Sequence, residues 1–152
     1  MTDWDDRWLE LAGHIGSWSK DRNTKVGCVI IGEGGQILTQ GYNGLPRKVD
    51  DGIELRFSRS VRNGRREKLR WTEHAERNAI YNAARTGTSL LGAVIYCPLY
   101  PCSDCARGII QSGIAEAVTT QPDWNDQFWA PEWEVSEIMF REAGVRVRLV
   151  AP

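Results

Sequence analysis

The spacing of apolar positions changes along the chain, and each spacing predicts an element. Trp4, Trp8, Leu11, Ile15 and Trp18 recur at helical intervals and predict an opening helix with one apolar stripe, its start favoured by Asp3, Asp5 and Asp6. The segments "VGCVII" (26–31) and "QILTQ" (36–40) are short β runs, and the "GEGG" between them predicts a hairpin. No period holds from about Gly41 to Arg70, which predicts an irregular stretch. "TEHAERNAIYNAA" (72–84) predicts a helix ending near Thr86 and Gly87, with Thr72 as its cap and Glu73 and Glu76 at its positive end. "AVIYC" (93–97) predicts a strand stopped by Pro98, "CSDCARGIIQS" (102–112) a helix closed by Gly113, and "AEAVTT" (115–120) a further strand. A Trp-rich segment (123–133) leads into a helix marked by Val135, Ile138, Met139 and Ala143 and ended by Gly144. "VRVRLV" (145–150) alternates as a last strand.

Five strands with interleaved helices predict a layered α/β fold with a mixed sheet. The 152 residues suit one domain, 1–152, with enough chain to bury a core unaided. Hydrophobic content of 41% and charged content of 26% are those of a globular protein in water. No run of about 18 apolar residues is present, so no membrane span is expected. The acidic, mixed start "MTDWDDRWLE" does not read as a secretion signal. A net charge of −1 argues against a protein built around nucleic-acid phosphates. Four cysteines are too few for a disulfide scaffold, and they read as free thiols or metal ligands in a cytoplasmic, reducing compartment.

Those cysteines change the picture when set beside "TEHAERNAI". In "PCSDC" (101–105), Cys102 and Cys105 stand at i and i+3 on the first turn of a predicted helix, so both thiols point the same way. A helix start also favours thiolates. His74 supplies a third ligand of matching softness for Zn2+, and two strand-to-helix units would then present two helix starts to one ion. H-x-E followed by P-C-x-x-C is the established signature of zinc-dependent deaminases.

The residue types fit that chemistry. Three protein ligands leave a fourth tetrahedral position to water, the mark of a catalytic site. Zinc lowers the pKa of bound water from about 15.7 towards about 7. Hydrolytic deamination also needs a proton carrier, and Glu76, two residues beyond His74, is placed to be one. A closed structural zinc site is disfavoured because no fourth Cys or His stands at a suitable spacing.

Beyond the metal motifs, "WSKDRNTKVGCVI", "GYNGLP", "HAERNAI", "PLYPCSDCARGIIQSGI" and "FREAGV" resemble the deoxycytidylate (dCMP) deaminases of the cytidine-deaminase-like superfamily. The resemblance implies a three-layer α/β/α fold around a five-stranded mixed sheet. It implies hydrolysis of dCMP to dUMP in a homo-oligomer regulated by dCTP or dTTP. It implies that His74, Cys102 and Cys105 hold zinc and that Glu76 shuttles protons. It further implies that Ala75 offers its backbone to the pyrimidine, that Asn43 contacts substrate and that Lys20 meets a phosphate or effector. The same chemistry on a free base, a nucleoside, a modified cytosine nucleotide or an RNA base is the alternative.

Two segments depart from the better-known members. "QPDWNDQFWAPEW" is rich in Trp where those carry a Tyr and polar residues, and "RFSRSVRNGRREKLR" is strongly basic and lacks extra zinc ligands. The basic run reads as a solvated face, a grip on small nucleotide phosphates or a nucleic-acid track, with nucleotide phosphates favoured. Cys28 and Cys97 read as small buried hydrophobes and His14 as a surface residue. Tyr100, just before the Pro-Cys turn, borders either the base or ordinary packing. Trp124 and Trp129 read as rings that stack on a base or close an interface.

Overall fold

Alternation within one inner strand decides the architecture. In a computed structural model, which describes residues 3–151, β1 (Gly27–Ile31) is buried at every position. Cys28 and Ile30 face one apolar cluster, and Val29 and Ile31 face another. A strand buried on both faces must be covered on both faces. The chain supplies the covers in the order α1 (Asp3–Gly16), β1, β2 (Ile37–Tyr42), β3 (Val61–Arg62), β4 (Arg65–Arg66), α2 (Lys68–Trp71), α3 (Ala75–Thr86), β5 (Val94–Tyr96), α4 (Ser103–Gln111), β6 (Glu116–Thr120), α5 (Ala130–Ala143) and β7 (Arg146–Val150). The main sheet runs β2-β1-β5-β6-β7. It is antiparallel at β2/β1 and β1/β5 and parallel at β5/β6 and β6/β7, which is the expected five-stranded mixed sheet. Residues of α3, α4 and α5 fill one cluster and those of α1 the other, giving three α/β/α layers.

The opening helix is rotated from the predicted stripe. Trp4 and Trp18 are exposed, while Asp5, Ala12, Ile15 and Gly16 are buried and Trp8 and Leu11 are half-buried. Close approach is the reason: a Cβ on Gly27 would stand 2.1 Å from the Ala12 carbonyl oxygen and 2.4 Å from the Gly16 nitrogen. Only small residues fit between α1 and β1, so the indoles of Trp4 and Trp18 lie outside. Asp5 accepts a hydrogen bond from the Tyr96 hydroxyl at 3.1 Å and from Arg148 Nη2 at 2.8 Å. Arg148 also reaches Glu116 at 2.7 Å, so one arginine joins α1 to β6 and β7. Burial of Asp5 is therefore a charge-paired burial, which an apolar stripe does not reveal.

Residues 41–70 are more ordered than the sequence pattern suggests. They hold a short 3-10 turn at Glu54–Phe57 and the β3–β4 hairpin. Asn63 and Gly64, at φ 51° and 73°, close that hairpin, because a two-residue primed turn needs positive φ at both central positions. In α5, Val135 and Ile138 are exposed, and Ala130, Ser136 and Phe140 face inward instead. The helix begins at Ala130, so the inward face is set from the Trp-rich turn.

Helix α3 is fixed on the β2 edge. A Cβ on Gly41 would stand 2.4 Å from the Ala79 nitrogen, so the backbones meet directly. Asn78 and Asn82 donate to the carbonyls of Tyr42 and Gln40 at 2.8 and 2.7 Å, and the Thr39 hydroxyl donates to that of Ala79 at 2.9 Å. Thr72 does not cap this helix. Its hydroxyl donates to the Lys68 carbonyl at 2.8 Å, and His74 occupies the cap position with its imidazole turned to other work. Among the described residues no helix is long and apolar enough to cross a membrane.

Candidate metal centre and substrate cavity

His74 and Cys102 are the residues immediately before α3 and α4, both in extended backbone conformation, so each side chain leaves its helix start rather than joining it. Only α4 follows a strand, β5. Helix α3 is entered from α2, through paired backbone bonds between Gly44 and Glu73 at 3.0 and 2.8 Å. That bridge replaces the predicted second strand-to-helix unit and holds His74 in place. His74 Nδ1 lies 3.4 Å from Cys102 Sγ and 3.5 Å from Cys105 Sγ. Two ligands bound tetrahedrally at zinc's usual N and S distances stand about 3.5 Å apart. The donor atoms all lie within 4.8 Å of one another, and they form the one such His/Cys/Asp/Glu group among the described residues. The donor set and spacing fit zinc. Cys28 and Cys97 are buried outside this group, as expected, and His14 is exposed.

The electrostatics suit the same use. A hydrogen bond with Cys105 draws the Cys102 thiol down to about 4, and His74 adds to the effect. Burial pushes the Cys105 thiol up, and the Cys102 thiolate pushes it further. Glu76, on the first turn of α3, is 4% exposed; burial pushes its carboxyl up while His74 draws it down.

Beside these residues opens a cavity of about 340 Å³, within the range of small-molecule sites. His74, Glu76 and Cys102 line it, together with Ala75, Asn43 and Tyr100. Asn43 is buried and already engaged: its carbonyl accepts from the Val26 N–H at 2.8 Å, and its amide donates to the Thr24 carbonyl at 2.8 Å. Tyr100 is buried, and that burial lifts its phenol to about 12. Trp129 lines the cavity edge-on to His74, at 5.9 Å between ring centroids. Trp124 packs edge-on to Trp133 instead and does not line it. Lys20 stands apart, exposed and paired with Asp51.

Three cations from the basic run, Arg59, Arg66 and Lys68, also line the cavity. The run was legible in the sequence, but its members were not distinguishable there. The "NG" of Arg62–Arg65 was the available sign that a hairpin returns Arg66 to the site.

A family model described as the cytidine and deoxycytidylate deaminase zinc-binding region matches residues 2–121. The chain belongs to this family. This deaminase is 37% identical to an uncharacterized deaminase from the luxG 3′ region of Aliivibrio fischeri, over 97% of this chain and 93% of that one. It is 33% identical to the human deoxycytidylate deaminase, over 99% of this chain and 81% of the relative. The fold is shared with the dCMP deaminase of cyanophage S-TIM5, solved with dCMP and dUMP, at a TM-score of 0.75 and 22% identity over 99% of both chains. The deaminase is thus a zinc-dependent hydrolase, with His74, Cys102 and Cys105 close enough to hold the ion.

Proposed function

We propose that this deaminase converts dCMP and water to dUMP and ammonia. The observation that carries the reading is one cavity lined both by His74, Cys102 and Glu76 and by Arg59, Arg66 and Lys68. Such a site suits a small cytosine compound carrying an anionic group. Relatives named deoxycytidylate deaminase point the same way.

When bound by His74, Cys102 and Cys105, zinc supplies the Lewis acidity that makes water a nucleophile at neutral pH. The chain's own groups do the rest. The Ala75 N–H, in the first turn of α3, has no acceptor within its helix and donates to the pyrimidine carbonyl. Glu76 takes the proton of the attacking water, gives it to ring N3, and then moves a proton to the leaving amine. The bond from C4 to nitrogen breaks, ammonia departs and a carbonyl remains. Burial of Glu76 suits both directions of transfer, because it brings the carboxyl nearer to working pH. Asn43 acts from behind, holding the 24–26 turn against the substrate, and Tyr100 borders the base.

A substrate panel of dCMP, deoxycytidine, cytosine, dCTP and tRNA tests the reading. Two charge-assisted contacts of roughly 1.5–3 kcal/mol each favour dCMP over deoxycytidine by roughly a hundredfold or more in kcat/KM. Equal turnover of deoxycytidine overturns it. A homo-oligomer answering to dCTP and dTTP rests on the family resemblance, and light scattering with and without dCTP tests that. We place the enzyme in the cytoplasm, where a reducing poise keeps metal-ligating thiols unpaired.

A further inference from the structure

The three cavity cations are not equivalent. Lys68 Nζ lies 2.5 Å from the buried carboxylate of Asp21 and is neutralised by it. Arg59 Nη2 donates to the Thr24 hydroxyl at 2.8 Å. Arg66, half-buried at the end of the β3–β4 hairpin, has neither an ion pair nor a hydrogen bond from its side chain among the described residues. It makes an aromatic contact instead: the guanidinium carbon stands 3.5 Å from the centroid of the Phe128 ring. A ring under the guanidinium face leaves the N–H edge available to an anion.

Phe128 is itself held firmly. Asp126 Oδ1 accepts the backbone N–H groups of both Phe128 and Trp129 at 2.9 Å. The Phe128 ring meets Trp129 edge-on at 4.9 Å, and Trp129 meets the ligand His74 at 5.9 Å. One turn of the Trp-rich segment therefore touches the unpaired arginine at one end and a metal ligand at the other.

We propose that Phe128 is a positioning residue that holds the Arg66 guanidinium as the principal ligand of the substrate's 5′-phosphate, so that the Trp-rich turn sets the preference for a monophosphate. This rests on the dCMP reading above. A free arginine gives up rotamer freedom when it closes on a phosphate, and one already seated on a ring gives up less. The ring also favours the cation at the cavity wall in the absence of any carboxylate partner. The other charged side chains lining the cavity are Glu76 and Asp126, with Arg59 and Lys68 on the cationic side.

Phe128→Leu, Phe128→Tyr, Arg66→Ala and the Phe128→Leu/Arg66→Ala double variant test this with dCMP and deoxycytidine. Phe128→Leu is expected to lower the ratio of kcat/KM for dCMP to that for deoxycytidine roughly tenfold, through KM for dCMP. Phe128→Tyr restores the ratio, and in the Arg66→Ala background Phe128→Leu leaves it unmoved. Calorimetric titration with inorganic phosphate follows the same order of affinities. If wild type fails to prefer dCMP, the substrate reading falls, and the phosphate titration still decides whether Phe128 acts through Arg66. Equal loss on both substrates, or a full effect of Phe128→Leu without Arg66, overturns the proposal.

Discussion

Lys68 Nζ and Asp21 Oδ2 stand 2.5 Å apart, with the Asp21 side chain wholly buried and that of Lys68 11% exposed. The pair fastens the basic segment to the turn before β1, and Asp21 also accepts the N–H groups of Asn23 and Thr24 at 2.8 and 3.2 Å. One wall of the cavity therefore depends on a buried charge.

Removing only the cation should be costly. Lys68→Met is expected to destabilise the protein by about 3 kcal/mol, because Asp21 keeps a buried charge without its partner. Adding Asp21→Asn should recover a large part of the loss. Urea unfolding of the two variants measures both values, and a Lys68→Met midpoint equal to that of wild type would refute the expectation.

Zinc binding separates the four thiols. Cys102→Ser and Cys105→Ser should each lower zinc content and stability together, since an ion held by His74, Cys102 and Cys105 would join the starts of α3 and α4. Cys28→Ala and Cys97→Ala should keep one zinc per chain, because both thiols lie outside the ligand group. Metal analysis beside thermal unfolding distinguishes the pairs.

Glu76→Gln keeps the shape of the side chain and removes the proposed proton carrier. Zinc content should stay at the wild-type level while kcat falls by about 10²–10⁴. Near-normal kcat in a zinc-loaded variant would remove Glu76 from the mechanism.

Acid sensitivity has a definite source in the basic hairpin. Arg62 donates to both carboxylate oxygens of Glu67, at 2.8 and 3.0 Å, and Trp71 Nε1 donates to one of them at 2.9 Å. The Arg62 hydrogen bond, with that of Trp71 next, holds Glu67 down to about 2 from the ordinary 4.5. A carboxyl with a depressed folded-state pKa adds stability that is complete above the unfolded value. That stability disappears as pH falls from about 4.5 to about 2. Glu67→Gln should therefore flatten the dependence of the urea midpoint on pH across this window. An unchanged slope would show that other carboxylates govern it.

The sequence by itself determined the main strands, the helices between them and the composition of the candidate metal centre. These are local properties: Cys102 and Cys105 share a turn through their spacing, Glu76 follows His74 on the same helix, and the β runs keep their period. Its "NG" signal at Asn63 and Gly64 also specified a hairpin in the stretch read as irregular, since that dipeptide supplies two positive φ angles. Tertiary structure alone decided which side chains those elements bring together. Asp5 is buried because Arg148, 143 residues away, meets it, and no apolar stripe records such a partner. Lys20 and Lys68 are both lysines in polar sequence, yet one faces solvent and the other the cavity. Arg66 and Phe128 meet only because a hairpin and the turn before α5 converge on the same wall. Contacts between distant segments depend on how the layers stack, and periodicity within any one segment carries no information about that.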